Sequence, residues 1–225
     1  MPKQASSDQP PLIIYGAGGL GREIALLVMA INRRQPSWQL LGFVDDLASG
    51  EQLGLPIVGD QEWCINEAKR RHSLATVIAI GASHALQSVS LALLKSGAPF
   101  IFPNISHPDA SIDWTWIDAG QGNVIGAGAR VANATLGSFN IINMNTVLGH
   151  DCVLGDRCLV SPSATLNGEV ELGSDVTIGA GATLLPRISI GAGATVTIGA
   201  VVGKSVDPGD VVAGNPARVV KRGNR

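Results

Sequence analysis

Three groups of residues in this sequence have types and spacings suited to chemistry. His150 and Asp151 are adjacent, an imidazole beside a carboxylate. A neutral imidazole, with an ordinary pKa of about 6.5, can take a proton from an attacking amine near neutral pH. A neighbouring acid can orient the ring through its other nitrogen and stabilise the charge that develops. The second group is the turn Gly16-Ala-Gly-Gly-Leu-Gly21, followed by the acid pair Asp45-Asp46. Gly16, Gly18 and Gly21 have the spacing that lets a backbone approach a phosphate, and an acid at a strand end can meet ribose hydroxyls. The third is Cys152 and Cys158, one six-residue step apart, which invites a metal or redox reading. His72, His84 and His107 have no comparable neighbours and read as structural.

The elements that must position these residues differ between two halves of the chain. From Leu12 to about Phe102, short apolar runs alternate with helical stretches. Strands are predicted at Leu12 to Tyr15, Leu40 to Val44 and Thr76 to Ile80, and helices at Arg22 to Asn32, Glu62 to Arg71 and Ala85 to Ser96. That alternation indicates a small parallel α/β sheet.

After Pro103 the helical pattern stops and a six-residue period begins. Steps of six from Leu136 to Val202 meet twelve aliphatic residues in succession, with Gly next in seven of the twelve. Four places on, the column from Asn140 to Val206 is small or β-branched almost throughout. Ile125-Gly126 and Val131 keep the pattern one residue out of phase, so a slip lies between Val131 and Leu136. Such a unit forms one flat strand and one turn, and three units close a triangular coil of 18 residues. The aliphatic column then fills the interior, and the glycines are predicted to take corner conformations with φ above zero. This is a parallel β-helix, whose hand the period alone leaves open.

The period also places the chemistry. His150 follows the inward Leu148 by two residues, so it belongs to a corner and projects outward, with Gly168 one coil away leaving space beside the ring. Cys152 and Cys158 fall in the small inward column and read as packed, inert core residues. Asn140 is inward and suited to a hydrogen-bonded ladder between coils, while Asn143 is placed to line a cleft; structure and substrate contact stay open there.

Composition agrees with thin, regular layers: 45% of residues are apolar, only 4% aromatic, and 28 are glycine. A net charge of −2 without a Lys/Arg block argues against a nucleic-acid partner. Three cysteines without a CxxC make no disulfide framework. The first ten residues lack the apolar stretch of a signal peptide, and no run of about eighteen apolar residues exists for membrane insertion. A cytoplasmic protein is the default expectation.

Read in order, Gly16 to Glu23, Gly42-Phe-Val-Asp-Asp46, Ile78-Ala-Ile-Gly81, His107-Pro-Asp-Ala110, Gly149-His-Asp-Cys152 and Gly214-Asn-Pro-Ala-Arg218 form a specific set. From about Leu12 to Lys221 the chain resembles the sialic-acid O-acetyltransferase/bacillosamine N-acetyltransferase group of hexapeptide-repeat sugar acetyltransferases. The resemblance implies an α/β Rossmann-like sugar-nucleotide domain over 12–103, after a flexible 1–11, and a left-handed β-helix over 104–206. A tail over 207–225 would contribute to the site for acetyl-CoA. It implies a homotrimer with acetyl-CoA as cosubstrate between adjacent β-helices, no metal, and a nucleotide-linked amino sugar as acceptor, in surface polysaccharide or O-antigen synthesis.

Residue by residue, the resemblance places the base on His150 and its acidic partner on Asp151. Sugar-nucleotide contacts fall on Gly18, Gly19, Leu20, Asp45, Asp46 and Gly81, and acetyl-CoA contacts on Ala180, Ile198 and Gly199. Leu20 and Leu159 stand where many members have histidines, which leaves backbone N–H groups to stabilise the acetyl oxygen. The glycine turn also fits an NAD fingerprint, but a β-helix offers no hydride-transfer residues, whereas a nucleotide sugar suits both halves. O-acetylation of a sialic-acid-like sugar and non-catalytic sugar-nucleotide binding are the alternative readings; the intact His150-Asp151 pair argues against the latter.

Overall fold

The computed structural model describes residues 9–223. Residues through Pro103 form one compact unit and those from Asn104 onward a second. Of the lead expected over 1–11, residues 1–8 lie outside the described residues, and Pro11 already opens the first strand.

The first unit is a six-stranded sheet with three helices. In chain order these are β1 (Pro11–Tyr15), α1 (Gly19–Arg34), β2 (Gln39–Val44), β3 (Glu51–Gln52), β4 (Leu55–Gly59), α2 (Gln61–Arg71), β5 (Leu74–Ile78), α3 (Ser83–Lys95) and β6 (Phe100–Ile101). The spatial order is β3-β4-β2-β1-β5-β6, parallel except for the β3–β4 pair. Leu12, Ile13 and Ile14 are fully buried, as a central strand covered on both faces requires. The chain steps from β1 to β2 on one side and later to β5 on the other, so the order reverses at the carboxyl end of β1. In open α/β sheets ligands bind at such a point.

α1 starts earlier than the sequence pattern predicted, because the glycines themselves form its first turn. β5 likewise starts and ends two residues earlier than predicted. After Ile78, Ala79 donates its N–H to Tyr15 O at 2.7 Å and the chain leaves the sheet. β3, β4 and β6 were not predicted: β3 is Glu-Gln, β4 holds a proline, and β6 is only the two residues Phe100–Ile101.

The second unit is a left-handed β-helix of three parallel faces. Face A stacks Arg130–Val131, Val147–Leu148, Thr165–Leu166, Thr183–Leu184 and Val201–Val202. Face B runs from Ile117–Ala119 through Ala134–Leu136, Cys152–Leu154 and Glu171–Leu172 to Ser189–Ile190. Face C runs from Ile105–Ser106 to Thr195–Val196 and continues into Val211–Ala213, against which Arg218–Lys221 folds back antiparallel. The segment drawn as a tail from 207 therefore adds a further rung to this face.

Register follows the period. Val147 pairs with Thr165 and Thr165 with Thr183, eighteen residues apart, whereas Val131 pairs with Leu148, seventeen apart, which is the one-residue slip. Both inward columns are buried from Leu136 to Val202 and from Asn140 to Val206. Cys158 has 1% of its surface exposed and Cys152 none.

The corner glycines act differently from the prediction. The residues with φ near +60° are mostly not glycine: Phe139, Asn145, Asp151, Arg157, Ser163, Glu169, Asp175 and Arg187. The glycine that follows the aliphatic residue is instead required by close approach. A Cβ on Gly155, Gly173 or Gly179 would lie 2.5–2.6 Å from a backbone nitrogen of the next coil.

Candidate functional site

His150 and Asp151 sit at the corner between faces A and B. Asp151 turns the chain with φ +57°, a conformation Asp tolerates better than most residues. His150 Nδ1 lies 2.9 Å from Asp151 Oδ2, and both side chains are more than half exposed, at 63% and 61%. An ionised carboxylate only accepts, so the neutral imidazole donates Nδ1–H and keeps its lone pair on Nε2. The bond from His150, and then one from Asn133, hold the Asp151 carboxyl below its ordinary range. A Cβ built on Gly168 would collide with the ring, 2.6 Å from its Cε1 and closer still to Nε2. Gly168 therefore makes a seat that the imidazole occupies, rather than open space beside it.

Asn133, unnoticed in the sequence, completes the corner. Its Nδ2 donates to Asp151 Oδ1, and its carbonyl accepts the Asp151 N–H at 3.0 Å. It stands eighteen residues before Asp151, the same corner one coil earlier, so the period itself contained the signal. Two grooves, of about 300 and 430 Å³, share Asn133 and the exposed Trp116. Asp118, Thr135 and Asp151 line the smaller, and Asp113 the larger.

The residues expected to contact acetyl-CoA lie at the corner between faces C and A. Ala180 and Ile198 are one coil apart and exposed there. Gly199, with φ +64°, donates its N–H to Ala180 O at 2.9 Å, so that donor is engaged within the corner. This corner and the His150 corner flank the same face, A. Leu159 points outward on face C, between Ile141 and Thr177, and so is one face removed from His150.

Asn140 does form a ladder. It donates its N–H to Asn123 Oδ1 at 3.0 Å and accepts the Cys158 N–H at 2.7 Å, while Asn123 Nδ2 donates to Asn104 Oδ1 at 3.1 Å. Asn143 Oδ1 accepts the Met144 N–H at 2.7 Å. Burial pushes the Cys158 thiol up to about 12 and raises Cys152 as well, which makes both poor nucleophiles. Among the described residues no cluster of three or more His, Cys, Asp or Glu side chains could hold a metal ion. Likewise among them, no helix is long and apolar enough to cross a membrane.

In the first unit, Gly18 and Gly19 are exposed, with nothing within 4 Å of a Cβ built on either. They open α1, whose N-terminus has neither a side-chain cap nor an acid in its first turn, while Arg33 and Arg34 sit in its last. Its unpaired N–H groups and dipole favour an anion. Gly16 and Gly21 are fixed by packing: a Cβ would lie 2.7 Å from Ala79 O on Gly16, and collide with the Gly16 carbonyl on Gly21. Leu20 is half-buried in the first turn, and Gly81 is exposed after β5.

The acid pair is held by the protein itself. Asp45 Oδ2 accepts from Ala17 N at 2.8 Å, and Oδ1 from Leu47 N and Ala48 N at 2.9 Å. Partial burial raises its pKa, but these three donors outweigh that and hold it below the usual range. Asp46 accepts from Tyr15 Oη at 2.7 Å and from Gln61 N at 2.9 Å. Of the other histidines, His72 caps α2 with φ +59° and His107 Nδ1 accepts the Asp109 N–H at 3.1 Å.

The PglD N-terminal domain family matches residues 11–91. No curated protein matches the chain. Among solved structures, the acetyltransferase domain of PglB from Neisseria gonorrhoeae FA1090, in complex with acetyl coenzyme A, is 30% identical. The match covers 94% of this chain and 100% of that one, with a TM-score of 0.86. A mutant of perosamine N-acetyltransferase from Caulobacter crescentus, in complex with CoA and GDP-perosamine, is 27% identical over 94% and 97% of the two chains, with a TM-score of 0.85. WeeI from Acinetobacter baumannii AYE is 29% identical over 94% and 100%, with a TM-score of 0.79. With both units and nearly the full length of each relative matched, the chain belongs to the hexapeptide-repeat sugar N-acetyltransferases that carry a PglD-type N-terminal domain.

Proposed function

We propose that the chain transfers acetyl from acetyl-CoA to the amine of a nucleotide-linked amino sugar, with His150 as the base. The observation that carries the role of His150 is its 2.9 Å contact with Asp151, which leaves Nε2 able to accept a proton. The sugar amine attacks the thioester carbonyl carbon, a C–N bond forms, and Nε2 takes the amine proton. Collapse of the tetrahedral intermediate breaks the C–S bond, and the proton passes to the departing CoA sulfur. Asp151 stabilises the transient imidazolium, and the exposed corner of Ala180 and Ile198 is placed to offer backbone N–H groups to CoA or the oxyanion. Transfer is direct, in keeping with the buried, raised thiols of Cys152 and Cys158.

The nucleotide lies at the carboxyl end of β1, its phosphates against Gly18, Gly19 and the start of α1, with Leu20 and Gly81 nearby. Asp45 and Asp46 shape that site through backbone and Tyr15 bonds, and present their remaining lone pairs to ribose. Exposed Val147, Val153, Leu185 and Ile198 on the β-helix favour burial against further copies of the chain, in keeping with a trimer. A cytoplasmic place in surface-glycan synthesis agrees with both substrates. The test is release of free CoA thiol in the presence of UDP-, GDP- or dTDP-linked amino sugars. Release with at least one such sugar is expected; release only with hydroxyl acceptors, or with none, would contradict the assignment.

A further inference from the structure

We infer that Asn133 is a positioning residue that acts on His150 through Asp151, forming an amide–carboxylate–imidazole relay. The inference rests on the proposed role of His150 as base. An exposed carboxylate has freedom to rotate, and Asp151 lies in the open, 61% exposed. Its two oxygens nevertheless have separate tasks: Oδ1 accepts from Asn133 Nδ2, and Oδ2 lies 2.9 Å from His150 Nδ1. Asn133 also receives the Asp151 N–H on its own carbonyl, so backbone and side chain are tied to the same rung. With Oδ1 engaged, the carboxylate presents Oδ2 to the imidazole in one orientation. The ring is then fixed from two sides, by Asp151 at Nδ1 and by its seat on Gly168. Asn133 touches neither Nε2 nor the acetyl-CoA corner, so its effect should fall on turnover alone.

Asn133→Ala keeps the backbone carbonyl and removes the amide. The expected result is a kcat lower by about tenfold, a fraction of the ~10²–10⁴ a general base is worth, with KM for acetyl-CoA unchanged. The decisive measurement is a double-mutant cycle: on an Asp151→Ala background, Asn133→Ala should cause no further loss. Full additivity, unchanged kcat in the single variant, or a parallel rise in KM would each overturn the inference. Asn133→Ser, which retains a shorter donor, should fall between wild type and Asn133→Ala. Nitrogen-15 NMR of His150 in the free enzyme gives a readout independent of turnover. The Nδ1–H signal should be ordered in wild type and lose its hydrogen-bonded shift in Asn133→Ala; an identical signal in both would sink the relay. If His150→Ala keeps full activity while the NMR difference is present, the base assignment fails and the positioning contact stands.

Discussion

At the scale of single residues, the account rests on a histidine whose two nitrogens do different work. His150→Ala should lower kcat by roughly 10²–10⁴ and leave KM for acetyl-CoA near wild type, because the ring acts on the acceptor's proton and contributes little to holding CoA. A kcat within a factor of about three of wild type would refute the assignment. Asp151→Asn keeps the shape but removes the charge that stabilises the imidazolium formed in the transition state, so kcat should fall, by less than in His150→Ala. Gly168→Ala separates position from presence: its Cβ meets mainly the His150 ring, so turnover should drop while the melting temperature changes little. Cys152→Ala and Cys158→Ala should stay active, each costing about 1 kcal/mol of packing in chemical denaturation.

At the scale of elements, the β-helix was legible because each strand-and-turn unit is local, so six residues carry its whole pattern. The twelve aliphatic positions of the period all became buried rungs. What the pattern hid was the reason for its glycines. The left-handed corner residue comes two places after the glycine position, and in most coils it has a side chain. Gly179→Ala should therefore cost about 3 kcal/mol, since its Cβ would press on Ile198 N at 2.5 Å. Gly181→Ala, with φ +65° and open space, should cost only about 1 kcal/mol. Thermal unfolding of the two variants compares them directly. Asn133 stayed hidden for a related reason: its partner is distant in sequence and adjacent only once coils stack. In the α/β unit, β3 escaped notice because paired polar residues leave no periodic trace. Asp45, a strand-end acid in the sequence, supports three backbone N–H groups. Its depressed pKa means the stability it contributes is present above the ordinary Asp value of about 3.9 and lost as pH falls through the lower folded value. Asp45→Ala should lower helical stability at neutral pH, measured by circular dichroism, and narrow the difference from wild type on acidification.

At the scale of the whole molecule, the proposed reaction draws one substrate site from each unit. The α/β unit has an uncapped helix start suited to phosphates, and the β-helix has the proposed base at one edge of face A and the proposed acetyl-CoA contacts at the other. Exposed aliphatics along the β-helix lead to the expectation of a trimer in sedimentation equilibrium; a fully active monomer would contradict a shared cleft. The central claim is direct acetyl transfer to a sugar nitrogen, and NMR analysis of the product made from acetyl-CoA and a nucleotide-linked amino sugar tests it most directly. The account predicts an amide on the sugar nitrogen, formed by wild type and strongly reduced with His150→Ala. An ester on a sugar oxygen, or undiminished amide formation without His150, would contradict it.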